Sequence, residues 1–177
     1  DQWKTACAGK TLVHFSGALA IEGMHGYHPL YSFPPSLLSV AAMEKVAFAC
    51  PEVGPSFSDI FPGADNPHFK IADKDRAHYH ALAVISGNLA SFAWNETAKE
   101  FRSRYSAAPA DILRGYFDGV VERFAENPTD SMTGPLTRKD RKSVEANLAA
   151  LKDNPTLHSL YKAFLNAAWP EFESSED

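Results

Sequence analysis

The sequence predicts an α+β fold in which a small strand-bearing region is followed by a mainly α-helical one. Three observations carry that reading. Up to about Ala72 the chain is rich in Gly, Pro and short apolar runs, whereas after Lys74 it reads as helix separated by brief breaks. From Ala81 to Asn95 no residue is charged and apolar positions go almost all the way round, which predicts a long helix buried in the middle of a domain. Further on, Ile112, Leu113, Tyr116, Phe117, Val120, Val121 and Phe124 make one helical stripe.

In the first region, residues 11–15 (TLVHF), 46–49 (VAFA) and 69–72 (FKIA) read as short strands bounded by small or turn-forming residues. Residues 36–43 suit either a short helix or a loop, and GPSFSDIFPGADNP is too dense in turn residues to assign. So few strands are small for an independent sheet. In the second region the opening helix, residues 74–104, has Asp73 or Asp75 near its start as cap or dipole partner. Pro109 suits the first turn of a second helix, which Asn127-Pro128 stops. After the loop PTDSMTGPL, Thr137 and Asp140 imitate a capping box, and a third helix turns Val144, Leu148 and Leu151 inward. Asn154-Pro155 restarts the chain into a fourth helix carrying Leu157, Leu160, Tyr161, Phe164, Leu165 and Ala168. The closing EFESSED is expected to fray as an acidic tail. The expected divisions are residues 1–72, 73–172 and the tail 173–177.

The 177 residues suffice for one domain or parts of two, and 45% hydrophobic with 22% charged content is ordinary for a globular protein. A net charge of -5 disfavours nucleic acid and anionic membranes as partners. No signal peptide is read and no apolar run reaches bilayer-spanning length. Cys7 and Cys50 match no metal or redox spacing and read as reduced thiols. The expectation is a soluble cytoplasmic protein.

Four segments carry candidate chemistry. HFSG, with His14, Ser16 and Gly17, ends a strand in a turn whose backbone N–H groups suit a ligand, although a plain strand-ending turn has the same pattern. In GYHPLYSF, Pro29 holds His28 extended, which serves a ligand contact and a packed loop equally well. Positions 80, 84, 88, 91 and 95 fall on one helical face, polar except for Val84, so His80, Asn88, Ser91 and Asn95 need partners in protein, water or ligand. Two turns, roughly 12 Å, separate His80 from Asn88, so they would flank a ligand or be satisfied as core residues by neighbouring helices. The loop SMTGPLTRKD places Thr133, Gly134 and Arg138 before a helix N-terminus that can hold an anion, and a capped helix with surface charges fits as well. His68, His78 and His80 lack metal-ligand spacing, and no nucleophile elbow or carboxylate pair points to a hydrolase.

In order, HFSGAL, G-Y-HPL-Y-SF, A-x-YHA-x-AV-x-SGN, LRGYFDGVVE and TGP-L-x-R-x-D resemble the domain-of-unknown-function 2520 family from about Thr11 to Trp169. The resemblance implies the last strands of a Rossmann-like NAD(P)-binding domain, then a helical domain similar to that of 6-phosphogluconate dehydrogenase, through which such proteins dimerise. It implies an NAD(P)-dependent oxidoreductase acting on a small molecule. His80 and Asn88 take the catalytic positions, His80 as general acid and Asn88 orienting a carbonyl or hydroxyl. His14, Ser16 and Gly17 face the cofactor, and His28, Pro29, Thr133, Gly134 and Arg138 face the substrate. The chain departs from the pattern in having no lysine on the His80 face and no G-x-G-x-x-G before Thr11. It is therefore expected to be N-terminally short and to bind NADP or NAD only within a longer parent. The competing expectation is a non-enzymatic helical module for dimerisation or ligand sensing.

Overall fold

The computed structural model describes residues 7–175. Its strands are β1 (Val13–His14), β2 (His25–Gly26), β3 (His28–Leu30), β4 (Ala47–Pro51) and β5 (His68–Ile71). Helices α1 (Val40–Met43) and α2 (Phe57–Ile60) lie between the later strands. Then come α3 (Arg76–Ala83), a π turn (Val84–Leu89), α4 (Ala90–Tyr105), α5 (Pro109–Glu126), α6 (Arg141–Leu151) and α7 (Pro155–Ala168). The α+β class is as expected.

β1 and β2 pair in parallel, with His14 opposite Gly26. β3, β4 and β5 form a second sheet in that order, antiparallel for β3–β4 and parallel for β4–β5. The parallel pair needs a crossover, which α2 supplies. Only Tyr27 separates β2 from β3, so residues 25–30 run from one sheet into the other. The sequence reading missed β2 and β3, because GYHPLYSF carries its pairing in backbone groups and not in an alternating pattern. The unassigned GPSFSDIFPGADNP contains α2, opened by a complete capping box between Ser56 and Asp59.

Contacts divide the chain into two compact units, Asp1–Ala90 and Ser91–Asp177. The change in composition near Ala72 is therefore not where packing divides, since α3 belongs with the strands. The core of the first unit is Tyr27, Val46, Phe48, Cys50 and Phe57, with Phe61 against it. Tyr27 is fully buried and its hydroxyl donates to the Pro55 carbonyl at 2.6 Å. In the second unit Leu136, Val144, Leu165 and Phe172 form the core.

Three expectations are corrected. The long helix is neither regular nor buried: its i→i+4 pattern gives way at Val84–Leu89, where Ser86, Gly87 and Asn88 are weak helix formers, and Ile85 and Trp94 stand 57% and 41% exposed. Thr137 caps nothing, because Lys139 takes a left-handed conformation (φ 56°) and postpones α6; Asp140 is its N-cap, accepting from Ser143 N–H at 3.1 Å. The tail does not simply fray: a 3₁₀ turn covers Pro170–Ser175, and Phe172 is buried with its carbonyl held by Arg141. Glu176 and Asp177 lie outside the described residues. The expected starts at Pro109 and Asn154 are present, with Asn154 Oδ1 accepting from Leu157 N–H at 3.1 Å.

Candidate functional site

β1 delivers the HFSG segment. Past the strand the Ser16 N–H donates to His14 Nδ1 at 3.3 Å and the Leu19 N–H to Ser16 Oγ at 3.2 Å, so the turn is closed by its own side chains. Because a backbone N–H only donates, His14 accepts at Nδ1 and its neutral form carries the proton on Nε2. Gly17 follows, buried. A Cβ there would lie 2.5 Å from His80 Cδ2 and 3.0 Å from His28 Nε2. The position thus demands glycine through close approach of two imidazoles.

β3 delivers His28 and α3 delivers His80. The rings meet edge to face with centroids 6.0 Å apart. On its other side His28 Nδ1 lies 2.7 Å from the Tyr79 hydroxyl. Tyr79 packs in turn against Phe69 of β5, centroids 5.8 Å apart.

Arg76 completes the arrangement and was not among the residues singled out from sequence. It is fully buried, donates from Nη2 to the Gly26 carbonyl at 2.7 Å and from Nε to Asp73 Oδ1 at 3.1 Å. Its Nη1 has no hydrogen-bond partner among the described residues. Gly26 lies so close to the guanidinium that no side chain fits there. Arg76, Tyr79 and His80, spaced i, i+3, i+4, share one face of α3, while Gly26 and His28, spaced i, i+2, share one face of the chain opposite. Arg76 meets Gly26 and the next turn meets His28. The D-x-x-R pair ahead of YHA was the available signal for Arg76.

The electrostatics follow from burial beside a fixed cation. Burial, then the positive charge of Arg76, holds His14 below the ordinary imidazole value, with Asp73 opposing. His28 is likewise held down, by burial first and then by His80 and Arg76. Burial pushes the Tyr79 hydroxyl up, partly offset by Arg76. Two neutral imidazoles and a protonated phenol therefore line the end of β1 near neutral pH.

Of the residues picked from sequence, His14, Ser16, Gly17, His28 and His80 come together in this unit. Pro29 lies in β3 opposite Phe48, where it lines an apolar recess of about 950 Å³ with Phe15, Phe33 and Phe61. Asn88 does not join them: it is exposed in the π turn, and its side chain makes no hydrogen bond to any described residue. The i→i+5 turn inserts one extra residue, about 100° of helical rotation, and so breaks the face that residues 80, 88, 91 and 95 were expected to share. Thr133, Gly134 and Arg138 belong to the second unit. There the Arg138 N–H donates to the Gly134 carbonyl at 3.2 Å, and Asp140 occupies the start of α6 that was expected to offer free N–H groups. Among the described residues no group of three or more His, Cys, Asp or Glu is placed to hold a metal. Nor is any described helix long and apolar enough to cross a membrane.

The family model for a domain of unknown function, DUF2520, matches residues 50–167, about two thirds of the chain. This chain belongs to the DUF2520 family. No curated protein matches the sequence. Among solved structures, the DUF2520 chain is similar to BF3122 of Bacteroides fragilis, whose name carries a provisional NADP oxidoreductase assignment. The TM-score is 0.73 at 20% identity, over 95% of this chain and 71% of that one. A second similar structure is TM1727 of Thermotoga maritima, with a TM-score of 0.69 at 22% identity over the same shares. At such identities the likeness is one of fold.

Proposed function

We propose that this DUF2520 chain is the substrate-side part of an NAD(P)-dependent oxidoreductase acting on a small molecule. The observation that carries the reading is the convergence of Gly17, His28 and His80 beyond the end of β1, where ligands of open α/β sheets bind. The name of the Bacteroides fragilis relative points to NADP. In this reading the dinucleotide is NADP or NAD. The neutral His14, with its proton on Nε2, offers it a donor, while Ser16 and Leu19 N–H are taken within the turn and no G-x-G-x-x-G is present to hold its pyrophosphate. Tight binding is therefore assigned to a longer parent.

The dinucleotide supplies hydride chemistry when bound. The chain's own residues receive the substrate oxygen and handle its proton, with His80 as general acid; Asn88, exposed in the π turn, is not assigned to that step. The unpaired thiols of Cys7 and Cys50 suit a cytoplasmic setting.

We also propose a homodimer through the helical unit. Along α5, Tyr116, Val121 and Phe124 stand 69%, 59% and 56% exposed, a stripe that a monomer rarely leaves open. The same stripe supports the second reading, a non-enzymatic dimerisation or ligand-sensing module.

Titration of the longer parent with NADPH, followed by fluorescence, separates the two. Saturable binding is expected, and its absence would leave the module reading. His80→Ala should then lower turnover well beyond its effect on thermal stability; equal losses would return His80 to a packing role.

A further inference from the structure

His28 is a bridge. Its Nδ1 lies 2.7 Å from the Tyr79 hydroxyl, and its opposite edge, Nε2 with Cδ2, lies on the Gly17 side, 3.0 and 3.1 Å from where a Cβ would stand. Tyr79 is itself braced, edge to face, by Phe69 at 5.8 Å and by the His28 ring at 5.6 Å. We propose that Tyr79 is the positioning residue of this site: its hydroxyl donates to His28 Nδ1, fixes the ring as the Nε2–H tautomer, and leaves that N–H to donate to an acceptor oxygen of the substrate, such as a carbonyl.

Relative acidity sets the direction, because a phenol O–H is a far stronger acid than a neutral imidazole N–H and the imidazole nitrogen a far stronger base than a phenol oxygen. A neutral imidazole has one donor and one acceptor, and the bond made by one nitrogen decides the state of the other. Tyr79 keeps its proton because burial raises its value, and His28 stays neutral because burial, His80 and Arg76 disfavour its charge. With the phenol as donor, Nδ1 must accept and Nε2 must carry the proton. Among the described residues no hydrogen bond uses Nε2, and His28 is only partly buried with Nε2 not sealed from solvent, so that donor is open to a ligand. His14 reaches the same tautomer through Ser16 N–H, so the end of β1 is flanked by two imidazoles with their protons on Nε2.

Only the identity of the acceptor rests on the oxidoreductase reading. The tautomer is therefore tested without cofactor or substrate, and its failure would leave the NADPH titration untouched. Long-range ¹H–¹⁵N correlation of the imidazoles in this chain near neutral pH should show His28 protonated on Nε2, with Nδ1 at an acceptor shift. An Nδ1–H or doubly protonated ring overturns the proposal. Tyr79→Phe keeps the ring contacts and removes the donor, and should turn His28 into a mixture of tautomers with unchanged far-ultraviolet circular dichroism. A His28 signature identical to wild type overturns the positioning role. Should that variant not fold, 3-fluorotyrosine incorporation makes the hydroxyl more acidic at nearly constant shape. The His28 Nδ1 resonance must then move, and its failure to do so also overturns the proposal.

Discussion

The two units of this chain bury different things. The second closes over Leu136, Val144, Leu165 and Phe172, an all-apolar cluster with its polar work done at the rim by caps such as Asp140 and Asn154. The first has an apolar core around Tyr27 and Phe48, yet beside it encloses a complete guanidinium. A buried arginine with one unpartnered nitrogen is a poor route to stability, because desolvation offsets much of what its bonds return. It does fix geometry. The contrast teaches that unit 2 is organised by packing, whereas unit 1 gives up some stability to hold β2, β3 and α3 in one arrangement.

The largest expected effect tests that contrast directly. Arg76→Ala removes the partner of the Gly26 carbonyl and opens a cavity, and should cost roughly 3 kcal/mol in urea unfolding. Arg76→Met, which restores most of the volume, should recover much of that stability while loosening the His28 region. Leu165→Ala in the other unit should also cost about 3 kcal/mol, with no recovery by any polar residue. If Arg76→Met is as damaging as Arg76→Ala, the arginine is there for stability and the contrast collapses.

A smaller effect is expected from Gly17→Ala. The new methyl must displace the His80 and His28 rings, an overpacking cost of about 2 kcal/mol. Activity of the parent should fall further than stability alone explains. Differential scanning calorimetry together with the NADPH assay measures both, and an unaltered melting temperature would show that the rings yield freely.

The smallest effect concerns pH. His14 and His28 both lie below the ordinary value of 6.5 when folded, so the unfolded chain takes up protons first as pH falls. Their contribution is complete above about 6.5 and is lost as pH drops through the lower folded values. Hydrogen exchange across both units should show protection of β1 and β3 declining in that window while α6 and α7 hold. His28→Asn should flatten the decline, and an equal loss of protection in both units would argue against a local origin.

Local signals made the helical half legible. Pro109, Asn154 and the apolar spacing of α7 act within a few residues of themselves, and the structure places α5 and α7 at those starts. Burial was read less well, since an apolar circumference reports what a helix is able to bury and not whether anything covers it: Ile85 and Trp94 remain open. Asn88 shows a second limit, because counting by 3.6 assumes a regular helix and a single π turn resets the count. In the site, His28 and His80 drew attention by their chemistry. Tyr79 and Arg76 did not, since their roles depend on contacts to residues about fifty positions away, which no short-range pattern encodes.

Gly17 and Gly26 each face a ring or a guanidinium at a separation that a methyl group can enter only by displacing that neighbour, so each residue is tied to what stands opposite it. Gly26 and Arg76 are thus a single decision written twice, fifty residues apart. A variant that shrinks the arginine frees the glycine to change, and a variant that changes the glycine first must push the buried guanidinium off the Gly26 carbonyl.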